Sequence, residues 1–252
     1  MKAAAFRAFC RLRDEFEAQT RTWAKATPWL AGLQEELRTE LGYEDYRVET
    51  PIVFNEALRE VEASCEPAFV LVADNPGKNE QLARNRRYLV GQSGKLAEGW
   101  FRRELDIDFR KEVILINKTP LHTPKTAELR KLLVLAGERS PARREALRSL
   151  LDESQRWMAG MARRLHEALG VPLWISGYGE LGPRGLFAPY SEALALEYAK
   201  APAFLREGVL LFRHFSMNQF AIEMKEKRKP GLPLRAELER IGSDNRKRLL
   251  GW

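Results

Sequence analysis

Four short apolar runs, each stopping at a polar residue and each separated from the next by helix-length amphipathic sequence, constrain this chain more than any other feature. They are Phe69–Ala73, Val113–Asn117, Pro172–Ser176 and Val209–Arg213. Runs of four or five β-branched and apolar residues suit strands covered on both faces, where no alternation with polar residues is needed. Strands that alternate with helices imply βα units, a mainly parallel sheet and helices on both sides of it. The expected fold class is therefore α/β. A single domain over residues 1–252 would be built on a central, mainly parallel four-stranded sheet, with added helices at the N-terminus and in the middle.

The helical stretches are legible from spacing. Residues 1–45 read as a two-part helical lead-in: Phe6, Phe9, Leu12, Arg13 and Phe16 keep helical period, Thr27-Pro28 breaks it, and Leu30, Leu33, Leu37 and Leu41 resume it. Further helices are expected at Asn55–Ala63, Gly94–Leu105, Tyr190–Lys200, Gln219–Lys227 and Pro233–Leu250. Residues 126–169 read as a helical insertion with a break at Ser140-Pro141.

Composition narrows the chemistry. The 42 Lys plus Arg exceed the 35 Asp plus Glu, giving a net charge of +7, an excess compatible with a polyanion partner and equally with none. Cys10 and Cys65 belong to no CxxC or Cys/His spacing, and His122, His166 and His214 form no pair with ligand spacing, so no metal or iron–sulfur cluster is expected. Lys2 and Arg7 are followed by Asp14 and Glu15 without a continuous apolar core, and no stretch approaches the length of a membrane span. The expected compartment is the cytoplasm.

If the strands are parallel, Asp74 and Asn75, Asn117, and His214 and Ser216 gather at one edge of the sheet, outside the strand ends where ligands of open α/β sheets sit. Asp, Asn, Pro and Gly are also what a turn needs for geometry alone. The ordered set of four motifs carries more than any one of them. Ala73-Asp74-Asn75-Pro76-Gly77 resembles the first motif of the uracil-DNA glycosylase superfamily, and Tyr88-Leu-Val-Gly-Gln-Ser-Gly-Lys-Leu96 is similar to its glycine-rich segment. Val113–Asn117 with Pro120 resembles its Asn-ending strand, and His214-Phe-Ser216 resembles its His-Pro-Ser loop. The likeness runs from about Phe69 to Asn218.

This resemblance implies a repair glycosylase that takes uracil or a related deaminated base out of the DNA stack and hydrolyses its N-glycosidic bond. His214 would donate to the departing base, where negative charge develops. Asn75 would position the attacking water, with Asp74 either a second water activator or a backbone-binding group. Asn117 would read the base edge with its paired donor and acceptor, although it could instead bond the local turn before Pro120. Tyr88, or alternatively Phe215, would supply a stacking face, and Leu89 and Gly77 would line the base pocket. Gly91, Ser93 and Gly94 would let backbone N–H groups approach a phosphate at a helix start, while Ser216, Met217 and Asn218 would meet the DNA, Met217 as a wedge. The partner would be lesion-containing DNA, single- or double-stranded, bound by a monomer without cofactor, metal or membrane.

The chain departs from the family pattern at several of these positions. Ala73 replaces the leading Gly, Leu89 stands where the iron–sulfur branches carry a stacking Phe, Phe215 replaces the Pro of His-Pro-Ser, and Gly77 stands where one branch carries a methyl-blocking Tyr. Two other function classes therefore remain: a member of the same fold that binds nucleic acid without cleaving it, and an unrelated small-molecule hydrolase on a similar sheet.

Overall fold

A computed structural model describes residues 1–252. At its centre four strands, β1 (Phe69–Ala73), β2 (Val113–Asn117), β3 (Leu173–Ser176) and β4 (Val209–Phe212), pair in the order β2-β1-β3-β4. Every pairing is parallel, so the sheet is wholly rather than mainly parallel. All four strands are buried along their length, the reason their sequences lack alternation.

Ten helices surround the sheet: α1 (Ala3–Ala26), α2 (Leu30–Glu40), α3 (Gln92–Leu105), α4 (Phe109–Glu112), α5 (Glu128–Arg139), α6 (Pro141–Leu169), α7 (Ala188–Ala199), α8 (Ala203–Glu207), α9 (Gln219–Lys227) and α10 (Leu234–Leu250). The two short helices α4 and α8 carry no periodic signal and are additions to the sequence reading. The lead-in resolves into α1 and α2, with Phe9, Leu12, Phe16 and Trp23 of α1 buried. None of these helices is long and apolar enough to cross a membrane.

Two expectations change. The helix expected over Asn55–Ala63 is only a five-residue 3₁₀ turn, Glu56–Glu60. Asn55 explains why: its Oδ1 accepts from the Ala57 N–H while its Nδ2 donates to the Leu115 carbonyl, so the segment is pinned to the outer edge of β2. Residues 126–169, read as an insertion, form the crossover between β2 and β3. Within it α6 packs on α1, α5 and α7 and reaches β1, and Ser140 caps its first turn through Ala142 N–H.

Register and alternation assign the sheet's faces. Phe69 stacks on Trp174 with ring centroids 4.4 Å apart, and Phe101 of α3 lies 5.1 Å from Phe69. That face therefore carries Phe69, Leu71 and Ala73 of β1, Leu115 and Asn117 of β2, and Trp174 and Ser176 of β3. Such aromatic pairs contribute about 0.5–1.5 kcal/mol each beyond area burial. On the opposite face, Val70, Val72, Ile116 and Ile175 are buried. The outer edge of β4 is sealed by α10: Asn245 Nδ2 donates to the Leu211 carbonyl at 2.8 Å and Arg246 to that of Val209 at 3.3 Å.

The chain leaves β1 toward β2 on one side and leaves β3 toward β4 on the other. The crevice for a ligand in such a sheet lies outside the carboxyl ends of the two strands between those departures, β1 and β3.

Candidate active site

At that crevice stands a buried ion pair. Lys118, the residue after β2, has no exposed side-chain surface, and its Nζ lies 2.5 Å from Asp74 Oδ1 and 2.5 Å from the Ser176 carbonyl oxygen. The ring of Phe187 covers the ammonium at 4.9 Å. Burial pulls the Lys118 ammonium below its ordinary value, with the charge of Asp74 opposing. Asp74 Oδ2 accepts from the Thr126 hydroxyl at 3.3 Å. Gly177, at φ +76°, presses its Cα side against the same carboxylate, and a Cβ there would collide with Asp74 Oδ1. Both oxygens of Asp74 are thus engaged, and the side chain is held on the sheet face opposite Asn117. Its carboxylate is bonded by side chains and by no backbone N–H, so of the two roles expected for Asp74 the backbone-binding one is not what the side chain does.

Asn117 lies on the other face, 1% exposed, and neither its Nδ2 nor its Oδ1 has a hydrogen-bond partner. The alternative in which it bonds the turn before Pro120 is therefore not what the chain does. Leaving a buried amide unpaired costs about 1–3 kcal/mol per group, and native proteins hold few such groups outside working sites.

Asn75 sits at the same edge, anchored through one end of its amide. Its Nδ2 donates to Thr123 Oγ1 at 2.9 Å and toward the Leu121 carbonyl at 3.3 Å, leaving Oδ1 without a protein donor. His214, delivered by β4, is fixed by its own loop. The Ser216 N–H donates to Nδ1 at 3.0 Å, and the Ser216 hydroxyl lies 2.8 Å from the same nitrogen. With Nδ1 accepting, the neutral ring carries its proton on Nε2. Burial lowers the His214 pKa, opposed by the charge of Asp74 and reinforced by that of Lys118, so the ring favours the neutral form.

The remaining predicted residues are distributed unevenly. Tyr88 does not present a stacking face: its ring is buried and its hydroxyl donates to the Val53 carbonyl at 2.5 Å. Phe215, the alternative, is also buried, with its ring 4.9 Å from Phe220 and 6.0 Å from Phe101. Leu89 takes φ +52° and is likewise buried, its carbonyl held by Arg110 at 2.7 Å. Gly94 is needed because any Cβ would overlap that Leu89 carbonyl. Gly91 is the N-cap of α3 and supplies no side-chain cap, and Ser93 and Gly94 fall in the first turn of that helix. Gly77 has ordinary φ, and a Cβ there would meet only Pro124 O at 3.8 Å and Glu80 Oε1 at 3.9 Å. Met217 projects from the surface, 81% exposed at φ +50°, and Asn218 follows at φ +59° as the N-cap of α9.

Four neighbours escaped the sequence reading. Lys118 and Ser176 adjoin or occupy strand ends, but a Lys reads as solvated and a Ser as part of the turn until register is known. Glu80 is buried facing the backbone N–H groups of Gly77 and Leu89, and burial pushes its carboxyl up to about 8. His122 sits beneath the first turn, with Nδ1 2.9 Å from the Pro76 carbonyl, and burial lowers its pKa to about 4.

A scan against protein-family models finds no match for this chain, and a search of curated proteins finds none either.

Proposed function

We propose that this chain is a monofunctional DNA glycosylase that hydrolyses the N-glycosidic bond of uracil or a related deaminated base flipped out of DNA, as a member of the uracil-DNA glycosylase superfamily. The observation that carries the reading is the presence, at the carboxyl edge of one parallel sheet, of a tautomer-fixed imidazole following β4 and an amide with an unbonded carbonyl oxygen following β1. Asn75 Oδ1 accepts a hydrogen bond from a water and turns the water's oxygen toward C1′ of the sugar. As the C1′–N bond breaks, its electron pair moves onto the base, and the His214 Nε2–H donates to the base oxygen where that charge collects. The water oxygen bonds C1′, and its proton ends on the released base, leaving an abasic site. Asn117 reads the base edge, and the uncapped N-terminus of α3 takes a phosphate.

The test is a panel of oligonucleotides carrying uracil, hypoxanthine or xanthine, alone and opposite each base, assayed for alkali-labile sites. Abasic sites formed by the parent and lost in Asn75→Ala and His214→Ala support the reading. No abasic site from any lesion at micromolar enzyme refutes it.

One observation favours a second reading, a silent nucleic-acid-binding member of the same fold: neither Tyr88 nor Phe215 offers a ring to a flipped base. Binding whose affinity falls steeply with salt, unaffected by either substitution and without base release, would identify that case.

A further inference from the structure

Ser176 is the other polar side chain on the face that carries Asn117. Register places Ala73 opposite Asn117 and Val72 opposite Ile175, so Asn117, Ala73 and Ser176 form one row across three strand ends. The outer two are polar, 1% and 0% exposed, and neither side chain has a hydrogen-bond partner; the middle one is the smallest that can carry a Cβ. A lone buried Ser hydroxyl is usually absorbed by a nearby carbonyl, yet Ser176 offers its own carbonyl to Lys118 and leaves its hydroxyl unpaired. Two orphaned polar groups thus flank one small side chain in a single row, about 9.6 Å apart across two interstrand spacings.

We infer that Ser176 is a second base-contacting residue, bonding a polar group of the base outside the edge that Asn117 reads. The inference rests on the glycosylase reading and adds a base contact to it. A hydroxyl both donates and accepts, so Ser176 can serve a carbonyl or a ring N–H of the base.

Ser176→Ala removes one hydroxyl and nothing else, and it has two separable readouts. An orphaned hydroxyl contributes nothing to the folded state, so the variant melts at or above the parent temperature. Its single-turnover base release falls by roughly 10- to 100-fold, because the base carbonyl it served is left unpaired in a dry site. Release within twofold of the parent on every lesion overturns the inference and leaves the glycosylase reading standing. A lowered melting temperature with an equal loss on all lesions also overturns it, since Ser176 would then be a structural residue. A parent that releases no base overturns both together.

Discussion

Replacing Lys118 by Met tests the electrostatics of the crevice most directly. Met keeps the length and apolar stem of the side chain and removes only the ammonium. Asp74 Oδ1 and the Ser176 carbonyl, each 2.5 Å from Nζ, then lose their partner in a largely buried place. Breaking a buried pair from one side costs about 3–5 kcal/mol. The expected loss is therefore about 3–5 kcal/mol, or about 6–20 °C in Tm for a domain of this size. Urea denaturation of the parent, Lys118→Met, Asp74→Asn and the double variant at pH 7 measures it. The double variant, with no uncompensated charge, recovers most of the loss. A Lys118→Met loss under about 1 kcal/mol, or one unrelieved by Asp74→Asn, would show that the pair is not the buried charge couple described above.

Other expectations are more compact. His214→Ala lowers single-turnover base release by about two to three orders of magnitude, as removal of one transition-state donor does; a rate within about threefold of the parent would remove His214 from the mechanism. Gly177→Ala forces a side chain into a left-handed position against Asp74 and costs on the order of 2 kcal/mol or more, measurable as a lower urea midpoint, with no change refuting the contact. Stability also has an optimum in pH. His122 and His166, both lowered to about 4 by burial, take up protons in the unfolded chain before the folded one, so stability falls on acidification through pH 6.5 to 4. Glu80, raised to about 8, holds its proton in the folded chain while the unfolded chain releases it above about 4.5, so its contribution declines as pH rises toward 8. Below pH 6.5 these two histidines, joined by His214 whose pKa burial also lowers, outweigh the one carboxyl, and just above it the carboxyl dominates, which puts the maximum Tm near pH 6.5. Glu80→Gln removes the alkaline decline, and a parent Tm still climbing from pH 6.5 to 8 would refute this account.

What could be read in advance followed from elements whose stability is local or whose burial is complete. The four strands were legible because burial on both faces leaves an uninterrupted apolar run, and α1, α2 and α6 because they repeat a buried stripe. Asn75, Asn117 and His214 were legible because a strand end fixes where they stand. Lys118 was not, because nothing in a single sequence says that β2 lies beside β1 in the register that brings its ammonium to Asp74. Whether Tyr88 is a stacking face or a core aromatic is not decided by sequence for the same kind of reason: its hydroxyl is held by the Val53 carbonyl, 35 residues earlier, which turns the ring into the core. The 3₁₀ turn at Glu56–Glu60 has helix-forming residues but is held by Asn55 to the edge of β2, a tertiary contact that overrides local preference.

The seal that α10 places along β4 bears on how the chain is made as well as on how it stands. During synthesis β4 emerges before Asn245 and Arg246 do, so for the time needed to add residues 213–246 the nascent sheet carries an open row of carbonyls. Over that interval the chain is exposed to pairing with another nascent copy, and the last helix acts as the step that closes it. Removing the Asn245 amide would then be felt less in the finished protein than in the fraction of chains that reach it.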